Sequence, residues 1–198
     1  MMGGMDVTTW YLEQTSPDEL RAAKPSAAPV SVTRAELVSP ELNRYLYAAV
    51  GGHYYWLDRL GWSWLQWHDW LARPGVETWV ASVRGTPCGY AELDGSAGGM
   101  VELSYFGLLP EFVGHGIGGV LLTTALRAAW QVGERWDLPA TRRVWVHTCS
   151  LDGSAAMRNY EARGMRHYRT EHDSVELPAR PPGPWPGADR QPKSAAPQ

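Results

Sequence analysis

Apolar and polar positions along the chain alternate with two different periods, and the changes between them mark the elements. VTTWYLEQ (7–14) reads as a strand. Pro17 to Pro29 is a break rich in Ala, Ser and Pro, and VSVTRAEL (30–37) then alternates as a strand should. Ser39-Pro40-Glu41 has the cap and first-turn proline of a helix start. Leu42, Tyr45, Leu46 and Ala49 share one face of that helix, and Gly51-Gly52 ends it. Ser63 caps a second helix that puts Trp64, Trp67 and Leu71 on one side before Pro74-Gly75 stops it.

The period then drops to two. Glu77 to Val83, GYAEL (89–93) and MVELSYFGL (100–108) read as strands, with a glycine-rich turn over 94–99. Gly116 to Val132 returns to helical spacing, with Ile117, Val120, Leu121, Ala125, Ala128 and Ala129 on one stripe. RVWVHT (143–148) is a strand, Ser154 to Arg163 a short helix, and Met165 to Thr170 a last strand. A helix between the strands near 104 and 145 requires a crossover, so those two strands are expected to pair in parallel. The predicted fold is α/β: a mixed, mostly antiparallel central sheet flanked by helices. One domain is expected over 30–175, preceded by an N-terminal strand and Pro/Ala/Ser linker over 1–29. Residues 178–198 hold seven of the fifteen prolines and are expected to form a disordered or extended tail.

Composition narrows the function classes. At 198 residues the chain can bury one core but not two full domains. A formal charge of -3 gives no global attraction to nucleic acid. Two cysteines, Cys88 and Cys149, exclude a disulfide scaffold, and the scattered histidines show no metal-ligand spacing. No apolar run approaches the length of a membrane span, and MMGGMDVTTWYLEQ does not read as a signal peptide. A cytoplasmic location is the expectation.

Candidate chemistry begins at Gly114-His115-Gly116-Ile117-Gly118-Gly119, which opens the long helix. Free main-chain N–H groups and the helix dipole favour an anion there, and glycines let it approach. A phosphate or pyrophosphate is the natural ligand; the alternative is a glycine turn serving close packing. The dinucleotide fingerprint fits poorly, because Leu109 to Val113 separates the loop from its strand and RVWVHT ends in no acidic residue. A Walker loop fails for want of Gly-Lys-Ser/Thr.

VELSYFGLLPEFVGHGIGGVLLTTAL followed by RRVWVHTCSLDGSAAMRNYEARGM resembles the GNAT superfamily of N-acetyltransferases, over roughly 76–170. The resemblance implies a parallel strand pair splayed around an acetyl-CoA site, no metal, and direct transfer of an acetyl group to a primary amine of a small molecule or peptide. The family's loop pattern, Gln/Arg-x-x-Gly-x-Gly/Ala, falls on Val113, Gly114, His115, Gly116, Ile117 and Gly118, with Val113 departing from it. Coenzyme contacts are then expected from those residues, Gly119, Leu108, Leu109, Ser154 and Asn159. The resemblance places Glu102 as a general base, or else a solvent-facing carboxylate. It places Tyr160 as the acid that protonates the departing thiolate, or else a packing tyrosine. Glu92, His147, Tyr55, Trp56 and Asp58 are weaker candidates for the acceptor side; His147 would line the site, shuttle protons or serve structure. Neither nucleic acid nor membrane is an expected partner, and a homodimer stays open. The competing reading is an inactive acetyl-CoA-binding module that regulates or docks a partner protein.

Overall fold

The computed structural model describes residues 2–188. Its elements run β1 (Met2–Gln14), β2 (Val30–Ala35), α1 (Pro40–Gly51), α2 (Trp64–Leu71), β3 (Val76–Val83), β4 (Thr86–Asp94), β5 (Met100–Leu108), α3 (Ile117–Trp130), α4 (Val132–Trp136), β6 (Arg143–Cys149), α5 (Ala156–Ala162) and β7 (Arg166–Pro178). The caps sit where the sequence placed them. Ser39 Oγ accepts from Leu42 N, and Ser63 makes a reciprocal capping box with Gln66. The long helix starts one residue later than expected, with Gly116 outside it as the cap.

The seven strands form one sheet in the order β2-β3-β4-β5-β6-β1-β7. Every neighbouring pair is antiparallel except β5 and β6, which are parallel as the crossover required. β1 is no separate appendage. It is threaded between β6 and β7, with Thr9 opposite Cys149 on one side and Glu171 on the other. β7 is accordingly longer than the expected 165–170 segment, because it follows β1 back as far as Met2. Beyond Pro178 the described chain returns to the end of α1, where Gly183 N donates to Gly52 O at 2.9 Å. Residues 189–198 of the expected tail lie outside the described residues.

α3 packs on one face of the sheet around Leu121, Leu122 and Leu126, meeting Leu12, Leu93, Leu103, Val144 and Val146. α1 and α2 take the other face over β3 to β5. There Leu46 and Ala49 of the expected face are buried and Leu42 packs beside them, joined by Tyr47 and Val50, whereas Tyr45 is 48% exposed. In α2, Trp67 and Leu71 face the core, but Trp64 stands outside, its indole N–H donating to Glu41 at 2.9 Å. Trp64 serves the α1–α2 junction in place of the core. No helix among the described residues is long and apolar enough to cross a membrane.

Candidate active site

β5 and β6 stay together only briefly. They pair from Met100–Arg143 to Glu102–Trp145 and then part. A bulge drives the parting. Glu92 faces Tyr105 and Leu93 faces Leu103, which leaves Ser104 as the extra residue in β5. Such an insertion bends its strand, here away from β6. Ser104 Oγ points into the resulting gap, buried and without a hydrogen-bond partner among the described residues.

The gap is a cavity of about 570 Å3. Three groups of residues line it. The first is the glycine loop and first turn of α3: Val113, Gly114, Gly116, Gly118 and Gly119. Gly114 and Gly116 have φ of 89° and 79°, a region where a side chain is strained, so the loop's curl depends on them. The second group is the open edge of β5 with Asn159 and Tyr160 of α5. Leu109 N donates to Cys88 O on β4, so the preceding N–H, that of Leu108, is directed the opposite way, into the gap. The third group closes the far end: Tyr54, Tyr55, Trp56 and Asp58 from the α1–α2 loop, with His147 and Cys149 of β6 and Asp152 beyond it.

Several expected contact residues hold their side chains outside the cavity lining. Leu109 turns its N–H to β4 and is not among the lining residues. Ile117 is 1% exposed and anchors α3 in the core. His115 and Ser154 are exposed and do not line the cavity; Gly153, Ala155 and Ala156 line it beside Ser154. Glu92 is not an ammonium ligand in the cleft. It is fully buried, and it accepts from Arg59 Nη1 at 2.7 Å, Trp70 Nε1 at 2.9 Å and Asn43 Nδ2 at 3.4 Å. Burial pushes its carboxyl above the ordinary value, against the pull of Arg59. Arg59 is itself buried, its guanidinium over the rings of Trp70 and Tyr105 at 4.0 and 4.4 Å. This assembly pins the α1–α2 loop, and with it the far wall of the cavity.

Glu102 does not line the cavity either. It stands behind His147, with Oε1 3.3 Å from His147 Nδ1. Glu102 raises the imidazole's pKa above its ordinary 6.5; burial opposes this, and Asp152 and Asp58 add to it. His147 is therefore the titrating group at the cavity wall, with Glu102 orienting it. Tyr160 is 4% exposed and packs on Phe106. Burial, then the charge of Asp152, pushes its phenol well above 10, so it keeps its proton. Burial and Asp152 likewise raise the Cys149 thiol, which makes it a poor nucleophile. Asp152, which the sequence reading passed over, is held by Thr148 Oγ1 at 2.7 Å and Cys149 N at 2.9 Å. Ser104 was missed as well. Ser104 has no local signal, since a bulge is visible only against the facing strand, whereas the partners of Asp152 lie three and four residues before it.

The model of the acetyltransferase (GNAT) family matches residues 39–165. The chain belongs to the GNAT acetyltransferase family. Its sheet resembles those of GCN5-related N-acetyltransferases from Kribbella flavida (20% identity, TM-score 0.60, covering 91% of this chain and 61% of that one) and Sphaerobacter thermophilus (19%, 0.58, 90% and 54%). A tandem GNAT protein from the clavulanic acid biosynthesis pathway is similar at 15% identity and TM-score 0.53, over 86% of this chain and 53% of that one. At these identities the likeness is one of fold. The GNAT chain described here spans 53–61% of the length of these three structures. No curated protein matches it.

A substitution at the loop tests its backbone requirement. Gly116→Val places a β-branched residue at φ of 79°, which strains the helix cap whatever space surrounds it. The expected result is a loss of acetyl-CoA affinity of at least about tenfold, equivalent to about 1.4 kcal/mol, read by calorimetry. Unchanged affinity would place the coenzyme elsewhere.

Proposed function

We propose that the chain transfers an acetyl group from acetyl-CoA directly to a primary amine. One observation carries this reading: a single cavity joins the α3 N-terminus, the open edge of β5, a protonated tyrosine and a carboxylate-backed histidine. The residues present fit the coenzyme. Gly114 and Gly116 curl the loop so that free N–H groups of α3 face outward for a pyrophosphate. The β5 edge offers unpaired main-chain groups to the pantetheine amides. When bound, acetyl-CoA supplies an activated acyl carbon and a thiolate leaving group.

The chain's own residues then do three things. The Leu108 N–H, aimed into the gap, stabilises negative charge on the thioester oxygen. His147 takes a proton from the acceptor ammonium, so that the nitrogen lone pair can attack. Glu102 holds the imidazole through Nδ1, which leaves Nε2 as the base. Tyr160 gives its proton to the departing sulfur, and the second proton of the attacking nitrogen, shed as the amide forms, restores the phenol. Cys149, with its raised thiol, takes no part, which accords with direct transfer.

The test is saturable acetyl-CoA binding followed by release of free thiol when amines are added. Binding without thiol release, across a broad amine set, would favour the inactive regulatory module. Tyr160→Phe is expected to lower turnover about 10²-fold, with coenzyme affinity little changed. That is the lower end for general acid–base catalysis, because a thiolate leaves with only modest help. Unchanged turnover would remove Tyr160 as the acid.

A further inference from the structure

We infer that the acceptor carries a second cationic group, and that Asp58 holds it. The inference rests on the acetyl-transfer reading of the cavity and specifies its substrate class. Asp58 is exposed on the cavity wall. Tyr47 donates to its Oδ1 at 2.6 Å and Tyr105 to its Oδ2 at 2.5 Å. The two phenols fix the direction of the carboxylate and leave lone pairs on both oxygens. The next residue, Arg59, turns inward, where Glu92 offsets its charge at 2.7 Å. The loop thus shows an acid to the cavity and keeps its base inside.

The surroundings suit an ammonium or guanidinium. Trp56 and Tyr105, with ring centroids 4.9 Å apart, line the same end, and aromatic faces attract cations. The wall is preformed: a Cβ on Gly51 would come within 2.1 Å of the Trp56 ring, so the indole sits tight on α1. Asp152 is a second lining carboxylate, and no Lys or Arg is among the lining residues described. An amino acid or acidic peptide would meet these two carboxylates with no Lys or Arg for its own. The reacting nitrogen, at His147, must lose its proton to attack, so it cannot be the group that answers Asp58. A separate, permanently charged centre can. Straight-chain diamines, and amines bearing a distal guanidinium, fit this description.

The experiment compares straight-chain diaminoalkanes with amino alcohols of matching length, by calorimetry on the full chain at low salt. The diamines are expected to bind about tenfold more tightly, with the difference shrinking as salt is added. Asp58→Asn should bring the ratio to within about twofold. Equal affinity of the two series for the unaltered protein overturns the inference, and that comparison needs no variant to fold. So does a variant that keeps the preference. Thiol release from acetyl-CoA separates the two readings. Release with no preference between the series sinks this inference alone. Diamine binding that depends on Asp58, with neither acetyl-CoA binding nor thiol release, sinks the acetyl-transfer reading and leaves a cation site.

Discussion

Glu92→Ala is expected to destabilise the protein by about 3–5 kcal/mol, the range for breaking a buried ion pair from one side. The carboxylate is fully buried and Arg59 is 4% exposed, so removal leaves a guanidinium with neither water nor counter-charge. Trp70 Nε1 and Asn43 Nδ2 lose an acceptor at the same time. The aromatic rings around Arg59 soften the loss without replacing a carboxylate 2.7 Å away. The α1–α2 loop depends on this anchor, so the far wall of the cavity should loosen before the sheet unfolds. Urea denaturation reads the stability, and amide exchange at 52–63 reads the loop. A change under about 1 kcal/mol would show the pair to be no better than a surface contact.

His147→Ala should lower kcat/KM about 10³-fold, within the range for a positioned general base, while acetyl-CoA binding stays close to that of the unaltered protein. The pH dependence separates this role from a structural one. His147 must be neutral to accept a proton. Its folded pKa lies above 6.5, so activity should fall as the pH drops through that raised value. Glu102→Gln removes the group that contributes most to the shift, and the acid limb should move to lower pH. A limb that stays in place would dissociate Glu102 from the base. Loss of activity with no change in profile would point to a packing defect.

What the sequence disclosed, and what it withheld, divides by range. Ser39, Ser63 and the loop at Gly114 to Gly119 carry their signals within a few residues, since caps and helix N-termini are local chemistry. The parallel pair followed from a crossover, a rule of connection that needs no contact map. Tyr160 was readable through the family resemblance and does line the cavity. Glu102 and Glu92 were readable as carboxylates on strands, but not as partners. That one stands behind His147 and the other under Arg59 depends on residues 45 and 33 positions away, respectively. Ser104 became the bulge only because β4 is one residue short opposite it. Trp64 and Tyr45 were assigned inward from spacing alone; their exposure was decided by where α1 and α2 meet.

The threading of β1 carries a consequence for how the molecule is made. A ribosome finishes this strand long before either neighbour exists, yet Thr9 must end between Cys149 and Glu171. Contacts so far apart in sequence are slow to close and favour late assembly. During synthesis β1 is an unpaired strand with both edges open, the state most exposed to wrong partners. β6 can pair with β1 as soon as it is made, and the other edge of β1 then stays open until β7 follows. The sheet therefore closes only when β7 has emerged, and β1, the strand that backs β6, gains its second partner in one late step.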